Sequence, residues 1–110
     1  MLSQADQNIS QVLKKRLQAV AGNRLKAVIV FGSRAWGGAS PDSDLDVAVL
    51  LTGCTLELEA ALDEACYQTM WDYDFSPLIS LKVFEEEDFT NHQHQGFTFY
   101  RKVAEEGISL

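Results

Sequence analysis

Asp44 and Asp46 open a short apolar run and are separated by one residue, Leu45. Because successive side chains of a β-strand point to opposite faces, both carboxylates are expected to project from one face, about 7 Å apart along the strand. Two such charges at the end of a buried strand repel each other and lose hydration, and this cost falls when they hold a divalent cation. Magnesium suits oxygen ligands and keeps coordination positions for water and phosphate. The pair therefore predicts a magnesium site.

A Gly-Ser turn, Gly32-Ser33, precedes Asp44 with ten residues between them. The turn follows the β-branched run Leu25 to Phe31, which is typical of a buried strand. We expect one or two helical turns to open at Ser33, and the N–H groups at such a helix start bind anions. A phosphate-binding turn facing metal-binding aspartates is an arrangement for phosphoryl or nucleotidyl transfer, in which positioning and charge neutralisation supply most of the catalysis.

Two residues that follow this turn have several interpretations. The guanidinium of Arg34 either reaches a phosphate oxygen or lies in solvent, and the phosphate contact is favoured. Trp36 stands beside glycines. Its indole serves as a stacking surface for a base, as a contact for a partner, or as a plug in the core.

Hydrophobic periodicity predicts the elements that must position these residues. A helix is expected from Ser3 to Val20, and a second helix begins after Thr55 and forms a crossover between two extended segments. The next extended segment runs from Phe75 to Phe84. Because Pro77 cannot donate to a ladder, either this strand lies at an edge or its pairing begins after the proline. A last helix is stopped by Gly107.

Composition restricts the class of protein. A chain of 110 residues suffices for one domain, residues 1–110, with a single core. Its net charge of −7 argues against direct binding of DNA or RNA, because phosphate backbones are bound by basic surfaces. No apolar run approaches the ~18 residues of a membrane span, and the first residues lack a signal-peptide pattern, so a cytoplasmic location is expected. Cys54 and Cys66 lack metal spacing and are expected to be free thiols.

The motif as a whole resembles a known family. Gly32-Ser33, ten residues and then Asp44-x-Asp46 is similar to the signature of the DNA polymerase β-like nucleotidyltransferase superfamily. Nearly the whole chain resembles its minimal, MNT-type members, including the closing segment Glu105 to Leu110. The resemblance implies an α/β (α+β) nucleotidyltransferase fold, a single domain with a small mixed β-sheet flanked by helices. It also implies that Gly32, Ser33 and Arg34 bind the nucleotide, and that Asp44 and Asp46 are catalytic and hold two Mg²⁺ ions.

The resemblance also suggests a third carboxylate. Many superfamily members place one near the strand that follows the crossover helix, where it acts as a general base. Asp74 directly precedes the extended segment and is the expected catalytic residue, with Asp72 as the alternative. Both acids are equally well explained as loop residues that terminate the preceding helix.

The resemblance also suggests an activity and a partner. The chain is similar in size to MntA-type antitoxins of this family. These antitoxins pair with HEPN-domain toxins of the HepT type and transfer AMP from ATP to a toxin tyrosine. The chain is accordingly expected to bind ATP and to form a hetero-oligomer with a HEPN-domain toxin. One alternative is a nucleotidyltransferase that acts on a small hydroxylated acceptor. The other is a catalytically silent antitoxin that neutralises its partner by binding alone.

Overall fold

This computed structural model describes residues 2–37 and 40–110 of the chain. Helices and strands follow one another in the order α1 Gln4–Ala21, β1 Leu25–Phe31, α2 Ser33–Trp36, β2 Leu45–Leu51, α3 Leu56–Asp72, β3 Ile79–Glu85, α4 Glu86–His94, α5 Thr98–Glu106 and β4 Ile108–Ser109. The predicted first helix is confirmed, and Ser3 is its cap, because the Ser3 hydroxyl accepts a hydrogen bond from the Asp6 N–H at 3.1 Å.

The four strands form one mixed sheet in the order β3-β2-β1-β4. β1 pairs antiparallel with β2 and with β4, whereas β2 and β3 run parallel. Parallel neighbours need a crossover connection, and α3 supplies it, as the sequence predicted. The sheet and its flanking helices confirm the expected α/β class.

Each face of the sheet carries its own set of packed helices. One face contributes alternate residues such as Val47 and Val49, which pack with the buried side chains of α1 and α3. The opposite face contributes Ala48 and Leu50, which pack with Phe89 of α4 and with Val103 of α5. Because side chains alternate along β2, Asp46 lies on the same face as Ala48 and Leu50. Asp46 therefore belongs to the α4–α5 side of the sheet.

The prediction of an extended segment from Phe75 is wrong for residues 75–78. β3 begins at Ile79, and Asp74 and Phe75 have left-handed backbone angles of φ 56° and 55°. The apparent alternation of apolar side chains there belongs to a loop, because the Phe75 N–H bonds back to the Met70 carbonyl oxygen at 2.8 Å. Both readings of Pro77 hold, since β3 is an edge strand and its pairing begins after the proline.

A short fourth strand, which the periodicity did not indicate, closes the sheet. Ile108 pairs with Val30, and the Leu110 N–H donates to the Val28 carbonyl oxygen at 2.9 Å. Gly107 makes this possible, because a Cβ at that position would overlap the Ile29 side chain and the backbone of α5. The C-terminal segment thus covers an edge of β1.

Candidate active site

Gly32 and Asp46 lie against each other at the end of the β1–β2 ladder. Phe31 and Asp46 are paired across the two strands, so Gly32, which directly follows β1, lies beside the aspartate. A Cβ built on Gly32 would stand 3.2 Å from Asp46 Cγ and would overlap Oδ2. Gly32 also has φ 79°, a conformation that side chains disfavour. Only glycine therefore allows the carboxylate to reach the turn.

A short helix starts directly after Gly32, as the sequence predicted. α2 spans Ser33–Trp36, and the N–H groups of Ala35 and Trp36 donate to the Gly32 carbonyl oxygen at 3.1 Å. Ser33 is exposed at the first position of this helix. The predicted Gly-rich segment continues through residues 38 and 39, which lie outside the described residues. The phosphate-binding role of Gly32 and Ser33 stays a prediction, with the turn now placed beside Asp46.

The charge of Asp44 is part of the electrostatic setting of Asp46. Burial raises the pKa of Asp46 above its ordinary 3.8, the charge of Asp44 raises it further, and the charge of Lys82 lowers it. Asp46 is half-buried, whereas Asp44 is exposed. Holding both carboxylates ionised is therefore costly in the absence of a cation, and a divalent ion between them would remove that cost.

These two carboxylates fit a magnesium site in chemistry. Oxygen ligands from one or two acids, with water and phosphate completing the coordination, are what Mg²⁺ requires. Across residues 2–37 and 40–110, no three acidic, histidine or cysteine side chains come together as a ready-made metal cage. Any ion held by Asp44 and Asp46 must then take further ligands from water or from the nucleotide.

Lys82 is a residue of this site that the sequence analysis missed. It lies on β3 opposite Ala48, and Ser80, two residues earlier, lies opposite Asp46. All of them are on one face of the sheet because the parallel register aligns their side chains. The alternation Ser80, Leu81, Lys82 in the sequence carried this signal, but the register with β2 was needed to place the ammonium near the acids.

Arg34 is held by protein groups on three sides. Its guanidinium forms an ion pair with Asp6 at 3.1 Å and donates to the carbonyl oxygens of Ser43 at 2.7 Å and Pro41 at 3.0 Å. Asp6 is only 4% exposed. Arg34 thus fixes the loop that leads into β2 and so positions Asp44. A contact from this guanidinium to a nucleotide phosphate stays a prediction.

The two candidates for a third carboxylate occupy different surroundings. Asp72 forms an ion pair with Arg16, whose guanidinium also donates to the Thr69 hydroxyl at 3.1 Å, so it ties α3 to α1. Asp74 is exposed in the loop after α3, and its N–H donates to the Trp71 carbonyl oxygen at 3.2 Å. The position opposite Asp46 on β3 is Ser80 rather than an acid. A catalytic role for Asp74 stays a prediction.

Trp36 joins the small helix to the last helix of the chain. The indole N–H donates to the Glu106 carbonyl oxygen at 2.8 Å, and the Lys102 ammonium lies 4.6 Å from the ring centroid. The side chain is 37% exposed. The structure places it as an anchor between α2 and α5, and its exposure argues against a plug in the core. Stacking on a base and contact with a partner stay predictions.

The family model for polymerase beta nucleotidyltransferases matches residues 7–110. The chain belongs to this family. The family is one of transferases that act on nucleotide substrates and commonly use Mg²⁺. None of the proteins with curated functions matches the chain. Within the described part of the structure, every helix is too short or too polar to cross a bilayer.

Proposed function

We propose that this nucleotidyltransferase moves AMP from ATP to a hydroxyl group on a protein, with Mg²⁺ held by Asp44 and Asp46. The observation that supports this most is the contact between Gly32 and the Asp46 carboxylate, which joins a turn suited to phosphate with a pair of acids suited to a cation. Membership of the polymerase beta family supports nucleotidyl transfer as the reaction class.

Each residue then has a defined task. Backbone groups of Gly32 and Ser33 bind the β- and γ-phosphates at the start of α2, and Asp44 and Asp46 hold the metal on the opposite side. Lys82 favours the ionised form of Asp46, which is the form that binds a cation. Two Mg²⁺ ions, when bound, would activate the acceptor oxygen and neutralise the departing pyrophosphate.

The transfer forms one bond and breaks another. The acceptor oxygen bonds to the α-phosphorus, and the bond from that phosphorus to the oxygen that bridges to the β-phosphate breaks, which releases pyrophosphate. Asp74 is the proposed acceptor of the hydroxyl proton, with Asp72 as the alternative. Asp74 is the better choice because Asp72 is already bound to Arg16.

A protein acceptor is supported by the openness of the site. Asp44 is exposed and Asp46 is half-buried, so both acids lie at a surface that a second chain can reach. A cavity of about 420 Å³ lies between the start of α1 and residues 108–110, and neither acid lines it. We propose that the acceptor is a tyrosine of a HEPN-domain toxin and that the chain is the antitoxin of the pair.

Labelled ATP separates this proposal from its alternatives. The chain is incubated with Mg²⁺, ATP labelled on the α-phosphate and the product of the neighbouring gene, and label is expected on that protein. Label on a small hydroxylated molecule would favour the first alternative. Inhibition of the partner without any label would favour a silent antitoxin. Asp44→Asn with Asp46→Asn should abolish labelling and leave the circular dichroism spectrum of the fold unchanged.

A further inference from the structure

Three aromatic side chains form an exposed cluster at the C-terminal end of α3. Tyr67 and Trp71 lie one helical turn apart and are 45% and 56% exposed, and Phe75 joins them from the following loop. Each ring contacts the other two, with centroid separations between 5.4 and 6.4 Å. We name Tyr67, Trp71 and Phe75 the aromatic patch. Its rings support one another, so a partner meets a surface that is already ordered.

The backbone directs Phe75 towards this patch. Its φ of 55° is uncommon for a residue with a side chain, and its N–H is bonded to the Met70 carbonyl oxygen at 2.8 Å. This conformation turns the ring back onto α3. Leu78, 52% exposed, extends the apolar surface beyond the patch. Large apolar side chains grouped in solvent mark interaction sites more often than single ones do.

The charges around the aromatic patch are acidic. Asp63 and Glu64 lie one turn before Tyr67, and Asp74 adjoins Phe75; all three are exposed. α3 contains no lysine, arginine or histidine. Arg16, which reaches this end of α3 from α1, is bound to Asp72 and to Thr69. A partner that covers the rings must therefore bring positive charge to the rim of the interface.

These charges decide against a second copy of the chain as the occupant. The chain carries a net charge of −7, and a symmetric pair of aromatic patches would place acidic rims against each other. A basic surface meets no such repulsion. Tyrosine and tryptophan are also the side chains that most often supply binding energy at interfaces between different proteins.

A groove runs between the aromatic patch and the segment that leads into Asp44. It has a volume of about 330 Å³ and is lined by residues 41–43 on one side and by residues 75–78 on the other. The first wall ends directly before Asp44, and the second wall begins with Phe75 of the patch. A chain seated on the patch is thereby close to the segment that precedes Asp44.

We propose that the aromatic patch docks a basic amphipathic helix of a protein partner. The apolar side of that helix covers the ridge formed by Tyr67 and Trp71 along α3, and its lysines or arginines meet Asp63 and Glu64. The further statement that this partner carries the acceptor hydroxyl rests on the proposed function, because only then must the bound chain also reach Asp44.

A peptide titration tests the docking without nucleotide or metal. The probe is a tryptophan-free helical peptide with leucine on one face and arginine on the other, and the readouts are the tryptophan fluorescence and the amide chemical shifts of the full chain. Saturable binding is expected, with shifts centred on α3. Trp71→Ala should weaken binding by about tenfold or more, as expected of an interface anchor. Leu56→Ala, which removes another exposed side chain of α3, should leave the affinity unchanged.

Three results would overturn the proposal. The first is that the peptide shows no saturable binding, and the second is that a peptide with every arginine replaced by glutamate binds as tightly as the original. The third is that the chain associates with itself and that Trp71→Ala abolishes this association. The double replacement Asp44→Asn and Asp46→Asn should bind the peptide normally. If the chain binds the peptide but transfers no nucleotide, the proposed activity alone is refuted. If the chain does not bind the peptide but still transfers a nucleotide to a small acceptor, the docking proposal alone is refuted.

Discussion

Arg34 and Asp6 form an ion pair at 3.1 Å that joins the first turn of α1 to α2. The Arg34 side chain is 13% exposed and that of Asp6 is 6% exposed. The same guanidinium holds the carbonyl oxygens of Pro41 and Ser43, and Ser43 directly precedes Asp44. The position of the first metal-binding acid therefore depends on a residue near the start of the chain.

Replacement of Arg34 should lower the free energy of unfolding of the chain. Arg34→Met leaves the Asp6 carboxylate buried without its partner, and breaking such a pair costs about 3 kcal/mol. The free energy of unfolding from urea titration is the measurement. Arg101→Met is the matched control, because the Arg101–Glu105 pair is exposed and such pairs contribute roughly 0–1 kcal/mol. Equal losses in the two variants would show that the Arg34 pair is no more than a surface pair.

A second prediction concerns the close contact of Gly32 with Asp46. Gly32→Ala combines the strain of φ 79° with an overlap on the Asp46 carboxylate and should cost about 1–3 kcal/mol. It should also weaken Mg²⁺ binding, because the carboxylate must move. Gly53→Ala has a comparable φ of 70° and no atom within 4 Å of the new Cβ, so it measures the strain alone. Metal affinity that is equally preserved in both variants would contradict the proposed position of Asp46.

The raised pKa of Asp46 predicts a dependence of stability on pH. Burial and the charge of Asp44 raise this pKa above 3.8, so between 3.8 and the raised value the folded chain binds more protons than the unfolded chain. Stability supplied by this group is therefore lost as pH rises through that window. Without divalent cations, Asp46→Asn should be more stable than the native chain near neutral pH, and the difference should vanish below pH 3.8.

Added Mg²⁺ should reverse this order. An ion that binds only the folded native chain stabilises it, whereas the Asp46→Asn variant gains little. Thermal unfolding with and without Mg²⁺ at neutral pH is the measurement. A variant that is less stable than the native chain in the absence of cations would show that Asp46 is held by favourable contacts instead.

The two cysteines should differ in reactivity. Cys66 is 3% exposed, and burial raises the pKa of its thiol to about 11, whereas Cys54 is only half-buried. A thiol reagent at mildly alkaline pH should label Cys54 quickly and Cys66 slowly in the native chain, because the thiolate is the reactive form. In denaturant, both cysteines should be labelled quickly. Mass spectrometry of the peptides identifies the labelled residue. Fast native labelling of Cys66 would mean that α3 opens readily.

Local sequence signals were sufficient for the central motif. The β-branched run before Gly32 and the alternation of Asp44 and Asp46 specify a strand, a turn and a second strand with little help from distant residues. The fold class followed from the helix that lies between two extended segments. The contact of Gly32 with Asp46 was anticipated only as two elements facing each other, and the antiparallel register supplied the contact itself.

Long-range partners were beyond these signals. Arg34 directly follows the Gly-Ser turn, and this position suggested a contact with phosphate. Its ion-pair partner Asp6 lies 28 residues away, and no local pattern indicates that pairing. Lys82 reaches the site only through the parallel register of β2 and β3. At Phe75 a helix-terminating loop imitates strand alternation, because its left-handed backbone and not its side-chain pattern determines its path.

Paramagnetic titration with Mn²⁺, which replaces Mg²⁺ at oxygen sites, tests the central claim most directly. In the ¹H–¹⁵N spectrum, the amide signals of Gly32, Ser33, Asp44 and Asp46 should broaden first, and Asp44→Asn with Asp46→Asn should remove this effect. Broadening that begins instead along the acidic face of α3, or that persists in the double variant, would contradict a metal site between the turn and the two aspartates.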